Sequence, residues 1–499
     1  MSTVLSVLAQ AIFYLIIAFF VLYVLLELRA LRNSRKAETR QRLTPLSCEA
    51  LQNPENFDWP TVSILLPVYN ESEVIERLID AICQLTYPNE KVEILVLDDS
   101  TDETSDLAIA RVARYFKKGK NIRILRRNKR RGYKAGNLMR GIQNAQGDFF
   151  VIFDADFAPP QDFLLRTIPR FENPKLGYLQ TGIGYENRDV SFLTRFQAME
   201  MGHQQVVTVG LDANGDMASL SGSSCVWRRD CVESLGGWSA STITEDTDLG
   251  YRAQLGDWEY VYLRDVMSMS ILPESTEAFR VQRERWGRGL LHSAFKHVHK
   301  MFQQRMPLMR RMHALAMMFS SLLLASVYVL LLLCLPLSYL VSFEDFSAPF
   351  WVALTFYVFV AIWGLSNIFA AKKGAFIQER FGLWRTLWST YVYVSLFLPM
   401  AWYYFVGGIR ALMGVHGQFY RTPKGHAGQT HKAPPIHRIL LIGDAISFVI
   451  SGLIVLVSLK SNNYFLIPVG VTGMLGFGLM LQGWWRERRE RAPHTAESH

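Results

Sequence analysis

Four short clusters of carboxylate, arginine and tryptophan residues are equipped for chemistry in this chain. Asp98-Asp99 and Asp154-Ala155-Asp156 follow directly on the apolar runs 92–97 and 149–153, and Pro67, Tyr69 and Glu71 follow a third run, 61–66. If these runs are strands of one sheet, four carboxylates converge on one rim with no basic partner evident in the sequence. A divalent cation carrying a diphosphate would relieve their repulsion. Farther on, Thr244-Glu245-Asp246 offers a carboxylate outside that set, available as a base. In Gln282-Arg283-Glu284-Arg285-Trp286, positions 282, 285 and 286 share one face of a helix. An arginine fork can hold a pyrophosphate, and an indole can stack on a sugar ring.

Each cluster also has a plain structural reading. Asp98 to Thr101 could cap the following helix. D-x-D arises by chance in chains of this size, and Asp246-Thr247-Asp248 is a second copy, which makes Asp248 the rival of Asp246 as a base. The arginines and tryptophan at 282–286 could anchor an amphipathic helix at a membrane surface. Context separates the two D-x-D copies: an apolar strand aims Asp154 at the rim, whereas Asp246 follows a polar stretch, so Asp154 and Asp156 are the better metal pair.

The runs 61–66, 92–97, 122–125 and 149–153 are rich in Val, Ile, Leu or Phe and alternate with helical patterns at 71–85 and 102–116. That alternation predicts an α/β, doubly wound sheet whose ligands bind beyond the carboxyl ends of the strands. The 499 residues exceed one compact core, and half of them are hydrophobic. Charge is sparse at both ends and dense over about 27–311, as expected of a catalytic domain inserted in an α-helical transmembrane domain. Five cysteines, an odd number without C-x-x-C spacing, indicate neither a zinc site nor a disulfide framework and fit a reducing compartment. The net charge of +9 sits largely in clusters after apolar segments (Arg29 to Arg42, Arg486 to Arg491), a membrane-surface pattern rather than a nucleic-acid one.

Uncharged or nearly uncharged runs occupy 3–26, 314–341, 349–371, 387–409, 439–459 and 464–485. The first lacks a basic start and a cleavage site, so it reads as an anchor. Six spans would put the basic stretch 410–438 and the tail outside. With 387–409 lying in the interface, five spans remain and all basic segments are cytoplasmic; its aromatic residues and Pro399 suit that placement.

The ordered series Asp98-Asp99, Asp154-x-Asp156, Thr244-Glu245-Asp246 and Gln282-x-x-Arg285-Trp286 resembles the processive members of glycosyltransferase family 2, the cellulose-synthase superfamily. Asp98 to Asp102, Arg131 to Leu138 and Phe153 to Phe157 are most similar to cellulose-synthase-like mannan and glucomannan synthases and their bacterial relatives. The resemblance implies a GT-A type fold and an inverting, processive β-glycosyltransferase. Its implied nucleotide-sugar site is Pro67, Tyr69, Glu71, Asp98, Asp99, Lys134, Asp154 and Arg285, with Mg2+ or Mn2+ on Asp154 and Asp156. Asp246 would be the general base, and Gln282 and Trp286 would hold the acceptor. Phe419-x-x-Thr422-x-Lys424 resembles a gating loop, although Arg421 departs from its usual valine. The implied partners are UDP-glucose or GDP-mannose, a growing glycan or a lipid acceptor, the bilayer, no nucleic acid, and export partners in the envelope.

The expected organisation is a transmembrane helix (1–27), a basic cytoplasmic linker (28–58), the glycosyltransferase domain (59–272) and interfacial helices (273–311). Transmembrane helices with the interfacial segment (312–411), a cytoplasmic gating segment (412–438), a helix pair (439–485) and a cytoplasmic tail (486–499) follow. The expected location is the inner or plasma membrane, crossed several times, with the catalytic domain on the cytoplasmic side. Two other readings compete: a non-processive transferase acting on a ceramide- or diacylglycerol-type lipid, and a transporter with a cytoplasmic domain. The transporter would need charged residues lining several spans, and Asp444 is the only clear case.

Overall fold

The computed structural model describes residues 2–43, 57–127, 129–340, 347–374, 382–415 and 434–491. An apolar helix, α1 (Ser2–Leu43), precedes the sheet domain. There β1 (Val62–Val68), α2 (Ile75–Cys83), β2 (Val92–Asp98), α3 (Thr104–Lys117), β3 (Ile122–Arg126), α4 (Tyr133–Asn144) and β4 (Phe149–Ile152) alternate. The four strands lie parallel in the order β3-β2-β1-β4. β1 is buried along its whole length, and its residues alternate between two cores. Ile64 and Leu66 pack with α2 and α3, while Leu65 packs with α4, as the two-residue period of a strand requires.

The second half of the domain adds α5 (Phe163–Thr167), β5 (Leu176–Tyr185), α6 (Phe192–Asn214), β6 (Cys225–Arg228), α7 (Arg229–Ser234), α8 (Glu245–Leu255) and β7 (Glu259–Ser270). The complete sheet has seven strands in the order β3-β2-β1-β4-β6-β5-β7, and β6 runs antiparallel to both β4 and β5. It is therefore a mixed sheet of the GT-A kind. The reversal has a consequence at the rim: because Cys225 pairs with Ile152, the chain entering β6 lies beside the carboxyl end of β4. Residues 222–224 are thereby delivered next to Asp154.

After the sheet come α9 (Thr276–Gln303), α10 (Leu308–Met318), α11 (Ser320–Leu340), α12 (Ser347–Gly374), α13 (Leu383–Leu412), α14 (Pro435–Lys460) and α15 (Ile467–Arg491). Among the described residues, five helices are long and apolar enough to cross a membrane: Val7–Ser34, Ser320–Tyr339, Leu383–Leu412, Pro435–Lys460 and Tyr464–Glu490. Phe356–Ala370 is a shorter apolar helix. The segment 387–409, expected to lie in the interface, is part of one continuous helix, α13, that is also long and apolar enough to cross a membrane. Pro399 removes the N–H that the Ser395 carbonyl would accept. Gly476 of α15 packs against that carbonyl, where a Cβ would fall 2.1 Å away, so the helix continues through the proline supported by a neighbour.

Helix α9 carries the Gln282-to-Trp286 cluster and is fastened to its surroundings by buried ion pairs. The Arg280 Nε lies 2.7 Å from Asp444 Oδ2 of α14, with both side chains fully buried. Tyr403 donates to the same oxygen, and Arg280 also donates to Thr276 and to the Met480 carbonyl. Arg283 forks onto Glu200 of α6 at 2.5 and 2.6 Å. Glu284 accepts from Arg410 of α13 at 2.6 Å and faces Arg288 at 3.4 Å. Between these pairs, α9 and α13 touch backbone to backbone: a Cβ on Gly287 would lie 2.9 Å from Tyr404 Cα, and one on Gly407 2.5 Å from the Glu284 carbonyl. Asp444 thus serves a structural pair, and it is not among the residues lining the cavity described below.

Removing one member of such a pair strands the other without water. Arg280→Met should cost on the order of 3–5 kcal/mol of stability. The double variant Arg280→Met with Asp444→Leu should recover most of that loss, read as the unfolding midpoint of the detergent-solubilised protein.

Candidate functional site

The rim is knitted from the loops after β1 and β2. Asn70 donates its N–H to Ser100 Oγ at 2.9 Å, and its side-chain oxygen accepts from the Thr101 N–H at 2.8 Å. Tyr69 lies beneath Arg130, whose guanidinium carbon is 3.3 Å from the ring centroid. Glu71 begins the turn into α2, its carbonyl accepting from the N–H of Val74 and Ile75, and Pro67 is buried within β1.

The two carboxylates after β2 are both engaged. Asp98 points inward, its side chain wholly buried; it accepts from the Ser100 N–H at 2.8 Å and Ser105 Oγ at 2.6 Å. It also pairs with Arg126 at 3.1 Å, because the register sets Arg126 directly across from it on β3. Asp99 is gripped by both Nε and Nη2 of Arg127 at 2.6 Å. Lys134, in the first turn of α4, lies 2.6 Å from Asp154 and 3.7 Å from Glu245, and it donates to the Gly222 carbonyl at 3.1 Å. The expectation of a rim without basic partners is corrected: Asp98, Asp99 and Asp154 each have one, and Asp156 completes the set of four. The fourth, Asp156, is buried and accepts from Ser270 Oγ at the end of β7. The missed signal was the run from Arg126 to Lys134, six of whose nine residues are basic.

Asp154 is the open member of the cluster, its side chain 35% exposed, with its N–H held by Ser223 Oγ at 2.9 Å. Asp246, at the start of α8, lies across Lys134 from it. Gly222, at φ +76°, presses on the Asp246 carboxylate so closely that a Cβ would fall 2.2 Å from Oδ2, and the Thr247 N–H donates to Oδ1 at 2.7 Å. One oxygen is thus cradled by a loop that tolerates only glycine there.

Asp246 and Asp248 have opposite environments. Asp248 is fully buried, accepting from Arg252 at 2.9 Å, Lys296 at 2.5 Å and His297 at 2.8 Å. Burial alone would raise it, but these donors outweigh that effect and hold it at about 2. It ties α8 to α9 and is no base near neutral pH. Burial raises Asp246 above the ordinary carboxylate range, opposed mainly by the Lys134 charge. Glu245 is likewise raised by burial, to about 7. Burial would lower Lys134, but Asp154, Glu245 and Asp246 outweigh it and hold the ammonium charged. Arg285 is lowered by burial and supported by the charges of Glu245, Asp246 and Asp154, which sets it on the same cluster.

Gln282, Trp286 and Asp246 share a cavity of about 740 Å³ that also reaches Tyr357 and Thr472 on the membrane helices. Arg283 stacks over the Trp286 ring with its guanidinium carbon 4.4 Å from the centroid. Phe419, Thr422 and Lys424 lie outside the described residues. Among the described residues no group of three or more His, Cys, Asp or Glu side chains converges on one point. The chain's own contribution to a cation would thus come from the carboxylates Asp154 and Asp156.

Residues 60–289 match the profile described as Glycosyltransferase like family 2. Glucomannan 4-beta-mannosyltransferase 1 of Cyamopsis tetragonoloba is 35% identical over 288 residues, 56% of this chain and 55% of the relative. Glucomannan 4-beta-mannosyltransferase 9 of Arabidopsis thaliana is 33% identical over 328 residues, 64% of this chain and 61% of the relative. The chain thus spans little more than half the length of these curated relatives. A mannosyltransferase from Pyrobaculum calidifontis, solved with GDP-Man and Mn2+, shares the fold with a TM-score of 0.53 and 18% identity, covering 80% of this chain and 100% of its own.

The charge balance at Lys134 has a pH signature. A reaction that needs ionised Asp246 runs above its folded pKa and is lost as pH falls through it. Lys134→Met removes the largest influence that lowers Asp246. The acid limb of the pH–turnover profile should therefore move to higher pH in the residual activity of this variant; an unmoved limb would show that Asp246 does not feel Lys134.

Proposed function

The chain carries a glycosyltransferase family 2 domain at residues 60–289, and from that premise we propose that it is an inverting, processive β-glycosyltransferase embedded in a membrane. The observation that carries this reading is the cavity, which is continuous from Asp246 and Trp286 to the membrane helices. A product extended at Asp246 has a way to leave that keeps its end at the site.

In this reading the nucleotide-sugar lies over the strand ends, its nucleoside against Tyr69 and Asp99 and its diphosphate near Lys134, Asp154 and Arg285. Asp98 supports this rim from within, since its acceptors are already used. Gln282 and Trp286 hold the acceptor terminus. Asp246 takes the proton of the acceptor hydroxyl as that oxygen attacks the anomeric carbon from the face opposite the departing diphosphate. The raised position of Asp246 brings its basicity closer to what proton removal requires. One displacement inverts an α-linked donor into a β-linked product. A divalent cation on Asp154 and Asp156 would neutralise the leaving diphosphate when bound, and two carboxylates suit a hard ion that takes its remaining ligands from phosphate and water. Arg285 adds fixed positive charge to the same group.

GDP-mannose is the first donor to test, because the curated relatives are mannosyltransferases by name; UDP-glucose is the second. In this reading the catalytic domain lies on the cytoplasmic face of the membrane, a position supported by the basic clusters that follow the apolar segments. The lipid-acceptor reading is less well supported, because polar groups line the cavity within its membrane portion, and an acyl chain would leave them without partners.

Purified membranes incubated with labelled GDP-mannose or UDP-glucose, followed by linkage-specific hydrolases, test the reading directly; a glycolipid in place of a polymer defeats it. Asp246→Asn should keep nucleotide affinity while losing roughly 100-fold to 10,000-fold in transfer rate. Near-normal turnover in that variant would remove Asp246 from the role. Excess chelator should abolish transfer and Mg2+ or Mn2+ should restore it, whereas full activity in chelator would exclude the metal.

A further inference from the structure

Lys134 stands between the carboxylates after β4 and those that open α8. Its ammonium lies 2.6 Å from Asp154 Oδ1 and donates to the Gly222 carbonyl at 3.1 Å. An ammonium has three protons to donate, so these two contacts leave one for a further acceptor. Glu245 Oε1 lies 3.7 Å away, near enough for an ion pair and too far for a hydrogen bond. The two carboxylates differ in access: the Asp154 side chain is 35% exposed and that of Glu245 10%. The open carboxylate therefore has the short contact and the buried one the long contact, although a buried charge gains more from a close partner.

Asp154 is also the carboxylate that a divalent cation would reach first, because Asp156 is buried and accepts from Ser270 Oγ. An ammonium and a divalent cation on one carboxylate repel each other, so each weakens the hold of the other. Lysine is the residue that can yield the place. Its compact charge rides on a flexible four-carbon stem, and a turn of that stem carries the ammonium to a new acceptor without moving the backbone. An arginine cannot do this as freely, as the two-nitrogen grip of Arg127 on Asp99 illustrates. The second acceptor is already in reach, since a small swing toward Glu245 would close the 3.7 Å gap.

We propose that Lys134 is an exchangeable cation: it holds Asp154 until a divalent cation takes that carboxylate, and it then passes to Glu245. Glu245 is thereby a positioning residue, which acts on the metal only by receiving the ammonium. This rests on the reading that Asp154 and Asp156 hold a cation. Positive charge moves from the rim toward α8 as the metal arrives, and no carboxylate of the group is left without a counter-charge.

The test measures binding of Mn2+ alone to the full-length protein in detergent, at mildly alkaline pH, by the loss of the paramagnetic resonance signal of the free ion. Lys134→Met removes the competitor and should tighten Mn2+ binding roughly fivefold, the size of a partly exposed ion pair. Glu245→Gln removes the second acceptor and should weaken it by about the same factor. In the double variant Glu245→Gln has no ammonium to receive, so affinity should match that of Lys134→Met within about twofold. Lys134→Arg keeps the charge but grips Asp154 with a fork; it should bind Mn2+ more weakly than wild type, and adding Glu245→Gln to it should change affinity less than about twofold. That pair decides the matter if Lys134→Met does not fold. An absent or opposite effect in any single variant would overturn the exchange, and so would a full fivefold loss from Glu245→Gln in either Lys134 background, because Glu245 would then act on the metal directly. Each of these outcomes leaves the metal itself in place. A wild-type protein that binds no Mn2+, even with GDP or UDP added, would overturn the metal reading and the exchange with it.

Discussion

Buried charge on helix α9 is the constraint from which much of the remaining arrangement follows. Arg280 and Arg283 are almost completely removed from water, as is Glu284, and a charge in that position persists only with a partner and further hydrogen bonds. Their partners come from three different places: Asp444 on a membrane helix, Glu200 on the helix between β5 and β6, and Arg410 near the end of α13. One helix is thereby fastened to the sheet domain and to the membrane helices at once. Because Gln282, Arg285 and Trp286 are interleaved with these anchors on the same helix, their side chains inherit the precision of the anchoring.

The rim follows a second rule of charge, compensation within the site itself. Asp99 has Arg127, Asp154 has Lys134, and Asp98 is closed off by Arg126 and two hydroxyl- or backbone-borne donors. Lys134 matters most because it faces three carboxylates together and is itself held charged by them. A single ammonium therefore couples Asp154 at the rim to Asp246 at the start of α8. The same economy separates the two aspartates of α8. Asp248 spends its charge on Arg252, Lys296 and His297, fixing α8 against α9, and Asp246 is left cradled by Gly222 with its basicity raised.

The cavity joins these two systems. It reaches from Asp246 and Trp286 past α6 to the membrane helices, so the candidate site and those helices border one continuous space. Its polar residues, Glu27 and His203 among them, are as costly to bury as those of α9, yet His203 Nε2 lacks a partner from the chain.

The sequence by itself determined what depends on local pattern. Apolar runs marked the four parallel strands, the carboxylates after two of them marked the rim, helical patterns marked the flanking helices, long uncharged runs marked the membrane helices, and the ordered motifs marked the glycosyltransferase domain. It also supplied the candidate site residues, among them Asp246 with Asp248 as its rival, but not the environments that set those two apart. Tertiary structure alone decided the partners. Asp444 and Arg280 are 164 residues apart, and Glu200 and Arg283 are 83 apart, so no local period relates them. The antiparallel entry of β6, which brings Gly222 to Asp246, is a matter of sheet order. The continuity of α13 through Pro399 depends on Gly476 of another helix, and the inward turn of Asp98 on its register opposite Arg126. Periodicity records which face of an element is buried, whereas ion pairing and close backbone approach record what that face is buried against, and only the folded chain brings the two sides together.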